Sequence, residues 1–207
     1  MALKTRVKVS EVTNLHNGRY CAGMGVEMIG FPLDKEHPDF VSPERFKEIS
    51  SWLAGIKFVA EINQSLDIDF EAYEKFDFIQ TDKLDLLEDL QNLATPLVFK
   101  YDLAIEAELE DVTSVLTAVK DKVDFIIIES KAQLDAKRID LLSKVAKEFK
   151  LFLGFGINHE NVTEMIDTIQ PEGISLKGGA EIKVGINDFD ELADILEELD
   201  TDEFAFN

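Results

Sequence analysis

Apolar runs of about five residues recur along the chain and alternate with amphipathic stretches of about twelve, the pattern of strands and helices taking turns. The runs are RVKVS (6–10), VEMIGF (26–31), IKFVAEI (56–62), FDFIQT (76–81), PLVFKY (96–101), VDFIIIES (123–130), KLFLGF (150–155) and GISLK (173–177). Between them the helical signals are local and specific. Ser42 stands as an N-cap before Pro43, and Phe46, Ile49 and Leu53 share one face. A sixth helix is expected from Leu134 to Phe149, a seventh from Asn158 and an eighth from near Asp188. The third and fourth, DIDFEAYEK and DKLDLLEDLQNL, are shorter. Eight strands and eight helices in strict alternation within 207 residues predict an α/β fold, a single (β/α)8 TIM barrel spanning 1–207 as one domain. An open doubly wound sheet uses the same elements, because periodicity does not encode closure.

Charge changes the picture more than composition does. Hydrophobic residues at 45% and charged residues at 30% are ordinary for a globular protein, but 42 acidic against 21 basic residues give a net charge of −21. That field opposes nucleic acid and anionic membrane surfaces. The densest acidic run, DFDELADILEELDTDEF, reads as a solvated helix face and tail. No apolar run approaches the roughly 20 residues of a membrane span, and the polar N-terminus does not read as a signal peptide. The lone Cys21 fits a reducing cytoplasm and, inside the first helix, a packing role. His16, His37 and His159 show no metal-ligand spacing, so neither metal nor cofactor is expected.

A barrel of this kind carries its chemistry at the C-terminal ends of its strands. That rule selects Ser10, Glu11, Phe31, Glu61, Gln80, Lys100 and Glu129, together with the glycine-bearing turns LGFGINHEN and LKGGAE. Gly154 and Gly156 in the first turn, and Gly178 and Gly179 beside Lys177 in the second, predict a phosphate site built from backbone N–H groups and one ammonium. Glycines also serve tight turns with no ligand at all. Glu129 ends the most apolar strand on the face of Phe125 and Ile127. It suits a general acid and equally a structural partner for Lys8, and the two readings are compatible.

These residues resemble the phosphoribosylanthranilate isomerase family over nearly the whole chain. VKVSEVT (7–13) is similar to the family's opening VKICGIT, and GFPLDKEHPDFVSPE (30–44) to GFxFxxxSPRxVSPE. LGFGINHENV (153–162) matches LAGGLxPENV, and SLKGGAEIKVGIND (175–188) matches DVSSGVExxxGxKD. The resemblance implies an Amadori rearrangement of a phosphorylated substrate in tryptophan biosynthesis, in which an acid opens the ribose ring and a base removes the C2 proton. It places the acid at Glu129, where the family has aspartate, and substrate contacts at Lys8 and Gln80.

The departures fall on that chemistry. The family's basic cysteine corresponds to Ser10 and the following glycine to Glu11, while the substrate-binding arginine corresponds to Asp39. QLHG has become QTDK, keeping Gln80, and Phe155 replaces one turn glycine. A thiol titrates near about 8.5 and a serine hydroxyl does not, so Glu11 or Glu61 is the candidate replacement base. Two function classes follow: an isomerase with altered residues and weak or shifted activity, or a non-catalytic member binding a phosphorylated metabolite or a protein. A monomer and a homodimer are both compatible with a barrel of this size.

Overall fold

Alternation and closure meet in the computed structural model, which describes residues 2–64, 66–73, 75–178, 181–183, 186–187 and 189–201. The strands are β1 (Arg6–Ser10), β2 (Met28–Pro32), β3 (Lys57–Glu61), β4 (Phe78–Thr81), β5 (Leu97–Asp102), β6 (Phe125–Glu129), β7 (Leu151–Leu153) and β8 (Gly173–Lys177). All pair in parallel in chain order, and β8 returns to β1 with Ser10 opposite Lys177, so the sheet is a closed barrel. The open-sheet alternative is thereby removed.

Seven α-helices follow: α1 (Leu15–Gly23), α2 (Pro43–Ser50), α3 (Leu86–Leu90), α4 (Leu109–Val119), α5 (Ala136–Glu148), α6 (Val162–Ile169) and α7 (Asp190–Glu198). Ser42 caps α2 by accepting from Arg45 N at 3.3 Å, with Pro43 next, and Asp135 caps α5 by accepting from Arg138 N at 2.9 Å. The expected third helix is a correction. DIDFEAYEK makes only a 3-10 turn at Phe70–Ala72. Its Tyr73 is held by distant partners: its ring lies 5.7 Å from that of Phe46 of α2 between ring centres, and its Oη donates to Val41 O, just before α2, at 2.8 Å. Those long-range anchors outweigh a weak local helix preference. The helix expected from Asn158 begins instead at Val162, because the Asn158 side chain accepts from Glu160 N and Asn161 N and makes a turn. A short antiparallel hairpin, β9 (Glu181–Lys183) with β10 (Ile186–Asn187), precedes α7 and was not signalled by periodicity.

The main apolar core lies between the strands and the helix ring. A second cluster fills the barrel itself: Met28, Val59, Phe78, Val98, Phe125, Ile127 and Phe152. At the N-terminal mouth Arg6 lies over the rings of Phe125 and Phe152, 5.8 and 5.1 Å from their centres, and pairs with Glu27 and Glu172 at 2.8 and 2.5 Å. Lys57 joins Glu27 at 2.8 Å. Cys21 is buried, its thiol pushed up to about 12 by desolvation, as suits a packing residue. Among the described residues, no helix is long and apolar enough to cross a membrane.

Candidate active site

Every second residue of each strand points inward, so the strand ends stack a polar layer above the barrel's apolar filling. Lys8 rises from β1 with no exposed surface and donates to both Ser10 Oγ and Glu61 Oε1 at 2.5 Å. Glu61, 4% exposed, accepts a further bond from Glu11 N at 3.2 Å through its other oxygen. Burial disfavours ionisation of Glu61, but the Lys8 ammonium, the Ser10 hydroxyl and the Glu11 amide outweigh it and hold the carboxyl below the usual glutamate value. Gly30 makes room for this carboxylate: a Cβ there would lie 2.1 Å from Glu61 Oε1.

The sequence offered Glu129 as the structural partner of Lys8, and the structure corrects it. Lys8 belongs to Glu61, whereas Glu129 faces Lys177, with 3.9 Å between Oε2 and Nζ. Glu11 reaches the same ammonium at 3.3 Å. Burial lowers the proton affinity of Lys177, but the fields of Glu129, Glu11 and Glu61 reverse that and raise its pKa above the ordinary lysine value. Glu11 occupies the left-handed region at φ 60°, where its counterpart in the family pattern is glycine. For a residue with a Cβ this conformation costs on the order of 1 kcal/mol, strain of the sort that gathers at functional sites.

Two cavities open on this cluster. The first, about 490 Å³, lies between the turns after β7 and β8 and includes Gly154, Gly156, Lys177 and Gly178 in its wall, with Glu191 from α7. The second, about 540 Å³, is lined by Asp102, Ile105, Glu129, Ser130 and Lys131 and shares Gly154 and Lys177 with the first.

The glycine turns need correcting in one respect. Gly154 N donates to Ile128 O at 2.9 Å and Gly178 N to Ser10 O at 3.2 Å, so neither amide points at an open space. The amides of Phe155, Gly156 and Ile157 have no partner among the described residues, and all three residues line the first cavity. Gly156, at φ 70°, gives that turn its shape. Gly179 lies outside the described residues.

Gln80, 3% exposed and opposite Glu61 in register, has a side-chain oxygen with no hydrogen-bond partner among the described residues. Such an acceptor costs about 1–3 kcal/mol unless a donor arrives. Asp39 sits in the loop between β2 and α2, its amide donating to His37 Nδ1 at 3.1 Å, and no contact among the described residues joins it to the cluster. Asp102, Lys131 and Glu191 escaped the sequence reading. Asp102 was within reach of it, since it ends β5 and pairs in register with Glu129. Among the described residues no group of three or more His, Cys, Asp or Glu side chains is arranged to hold a metal ion.

A closed parallel barrel with a charged cluster and two cavities at the C-terminal ends of its strands defines a (β/α)8-barrel protein of the class that builds its sites there. Residues 20–198 match the family described as N-(5'phosphoribosyl)anthranilate (PRA) isomerase, and the chain belongs to that family. It is 26% identical over 197 residues to the N-(5'-phosphoribosyl)anthranilate isomerase of Aquifex aeolicus (strain VF5), covering 92% of this chain and 96% of that one. The corresponding protein of Sulfurihydrogenibium sp. (strain YO3AOP1) is 25% identical over 194 residues, covering 90% and 94%. A crystal structure of a phosphoribosyl anthranilate isomerase in complex with reduced 1-(o-carboxyphenylamino)-1-deoxyribulose 5-phosphate superimposes with a TM-score of 0.76. It is 20% identical and covers 94% of this chain and 98% of that one, a likeness of fold.

Proposed function

We propose that this protein catalyses the isomerisation of its family, the Amadori rearrangement of N-(5'-phosphoribosyl)anthranilate, with carboxylates in both proton-transfer roles. The observation that carries this reading is the placement of Glu11 and Glu129 on either side of Lys177, within 3.3 and 3.9 Å of its ammonium. Glu129, in its acid form, gives its proton to the ribose ring oxygen as the C1–O bond breaks, leaving an iminium at C1. Glu11 takes the C2 proton, and the resulting enolamine collapses to the 1-amino-ketose. One proton is given and one taken, so the step balances as an isomerisation. Glu61 is a poor choice for the base, because it is buried and committed to Lys8, Ser10 and the Glu11 amide. The phosphate rests on the amides of 155–157 beside Lys177, and Gln80 Oε1 accepts from a substrate hydroxyl or amine.

The test is turnover of phosphoribosylanthranilate, followed by loss of its fluorescence, with Glu129→Gln and Glu11→Gln alongside. Turnover that each substitution lowers by about a hundredfold or more supports the assignment. A fully active Glu11→Gln removes Glu11. A folded protein with no turnover leaves the second reading, a member that binds a phosphorylated metabolite without converting it. Two features favour that reading: Ser10, where the family has its base, is tied into the buried Lys8–Glu61 pair, and Glu191 adds an acidic group to the phosphate cavity.

A further inference from the structure

Lys177 and Gly154 are the residues common to both cavities, and of the two only Lys177 carries charge. Its side chain is 54% exposed, and its distances of 3.3 Å to Glu11 and 3.9 Å to Glu129 exceed the roughly 2.7–2.9 Å of a closed charge-assisted hydrogen bond. The ammonium is therefore held between two carboxylates and free to move toward a third anion. Phe155, Gly156 and Ile157, whose amides have no partner among the described residues, also line the first cavity. The family pattern has glycine at position 11 and serine at position 177. The two departures meet across the β1–β8 seam, where Ser10 is opposite Lys177.

We propose that Lys177 is a positioning residue that couples the two cavities: an anion seated on the 155–157 amides draws its ammonium off Glu11 and Glu129 and releases both carboxylates for proton transfer. The proposal rests on the site assignment above and concerns anion binding, which is measurable without turnover. The charged groups around Lys177 all enter the balance. Glu11 comes from the turn after β1, Glu61 from β3 already compensated by Lys8, and Glu129 from β6. Asp102 and Lys131 line the second cavity, and Glu191 of α7 lines the first.

Sulfate is the appropriate probe, because it is a doubly charged tetrahedral oxyanion at neutral pH and is not turned over. Its affinity for the full chain is measured by calorimetry. Lys177→Met should weaken it about tenfold. Glu11→Gln and Glu129→Gln should each tighten it about three- to tenfold, by removing a competitor for the ammonium. In a Lys177→Met background both gains should vanish, whereas Glu191→Gln should tighten binding in either background. Unchanged or weaker binding in Glu11→Gln and Glu129→Gln, gains that persist without Lys177, or no sulfate binding at all would each overturn the coupling. Turnover on the same preparations keeps the two readings apart. Activity without the tightening rejects the coupling and leaves the isomerase reading standing, and tightening without activity does the reverse.

Discussion

The two mouths of the barrel are both closed by charge, yet they are built differently. At the N-terminal mouth Arg6, Glu27, Lys57 and Glu172 form short pairs of 2.5–2.8 Å, at backbone positions without strain, over a floor of aromatic rings. At the C-terminal mouth a tight buried pair, Lys8–Glu61, lies beneath a looser one, and the looser layer contains a left-handed Glu11 and, without partners among the described residues, the Gln80 oxygen and three amides. Similar residue types thus make a plug at one end and a receptive surface at the other. The polar groups at the top that have no partner among the described residues are places where a ligand could supply one.

The largest effect should come from the buried pair. Glu61→Gln or Lys8→Met strands one charge in the barrel and should cost about 3–5 kcal/mol in urea unfolding, while replacing both by apolar residues should recover much of the loss. Recovery would show that the pair organises the site more than it stabilises the fold. pH sharpens the same point. Because the folded pKa of Glu61 is lowered, its contribution is complete above the unfolded value near about 4.3 and is lost as pH falls through the lower folded value. Glu61→Gln should therefore flatten the acid limb of a stability profile. Next in size, Glu129→Gln should reduce turnover about a hundredfold with the melting temperature little changed. A smaller and opposite effect is expected of Glu11→Gly, which should stabilise the fold by up to about 1 kcal/mol by relieving the left-handed backbone, while lowering activity. Least of all, Arg6→Ala at the other mouth should cost about 1 kcal/mol or less and leave sulfate binding unchanged. A change in ligand affinity from Arg6→Ala would break the distinction between the mouths.

How much of this was written in the sequence follows from the range over which each feature is decided. Strand alternation is local, and so the barrel and the inward faces of Lys8, Ser10 and Glu129 were legible. The segment at 67–75 misled because its Tyr73 answers to Val41 and to Phe46 of α2, far away in sequence, and not to its own helical neighbours. The partner of Lys8 was illegible for a related reason. Alternation gives a face, but the register between strands decides which carboxylate stands nearest, and Glu61 won over Glu129. The glycines of the β7 turn lie in the wall of the first cavity, although the amides of Gly154 and Gly178 are bonded to neighbouring strands. Lys177 was read as a phosphate contact, and its two carboxylate neighbours emerged only when β1 and β6 were brought beside β8 in space.

Gly30 sets the order in which this mouth can change. With Glu61 in place, a Cβ on Gly30 would fall 2.1 Å from a carboxylate oxygen that cannot step aside without releasing Lys8. Gly30→Ala is therefore harmful in this background and should become tolerable once position 61 is apolar and Lys8 has been replaced. Glu61 thus binds two strands into one decision: a change at Lys8 or Gly30 is admitted or refused according to whether that carboxylate is present.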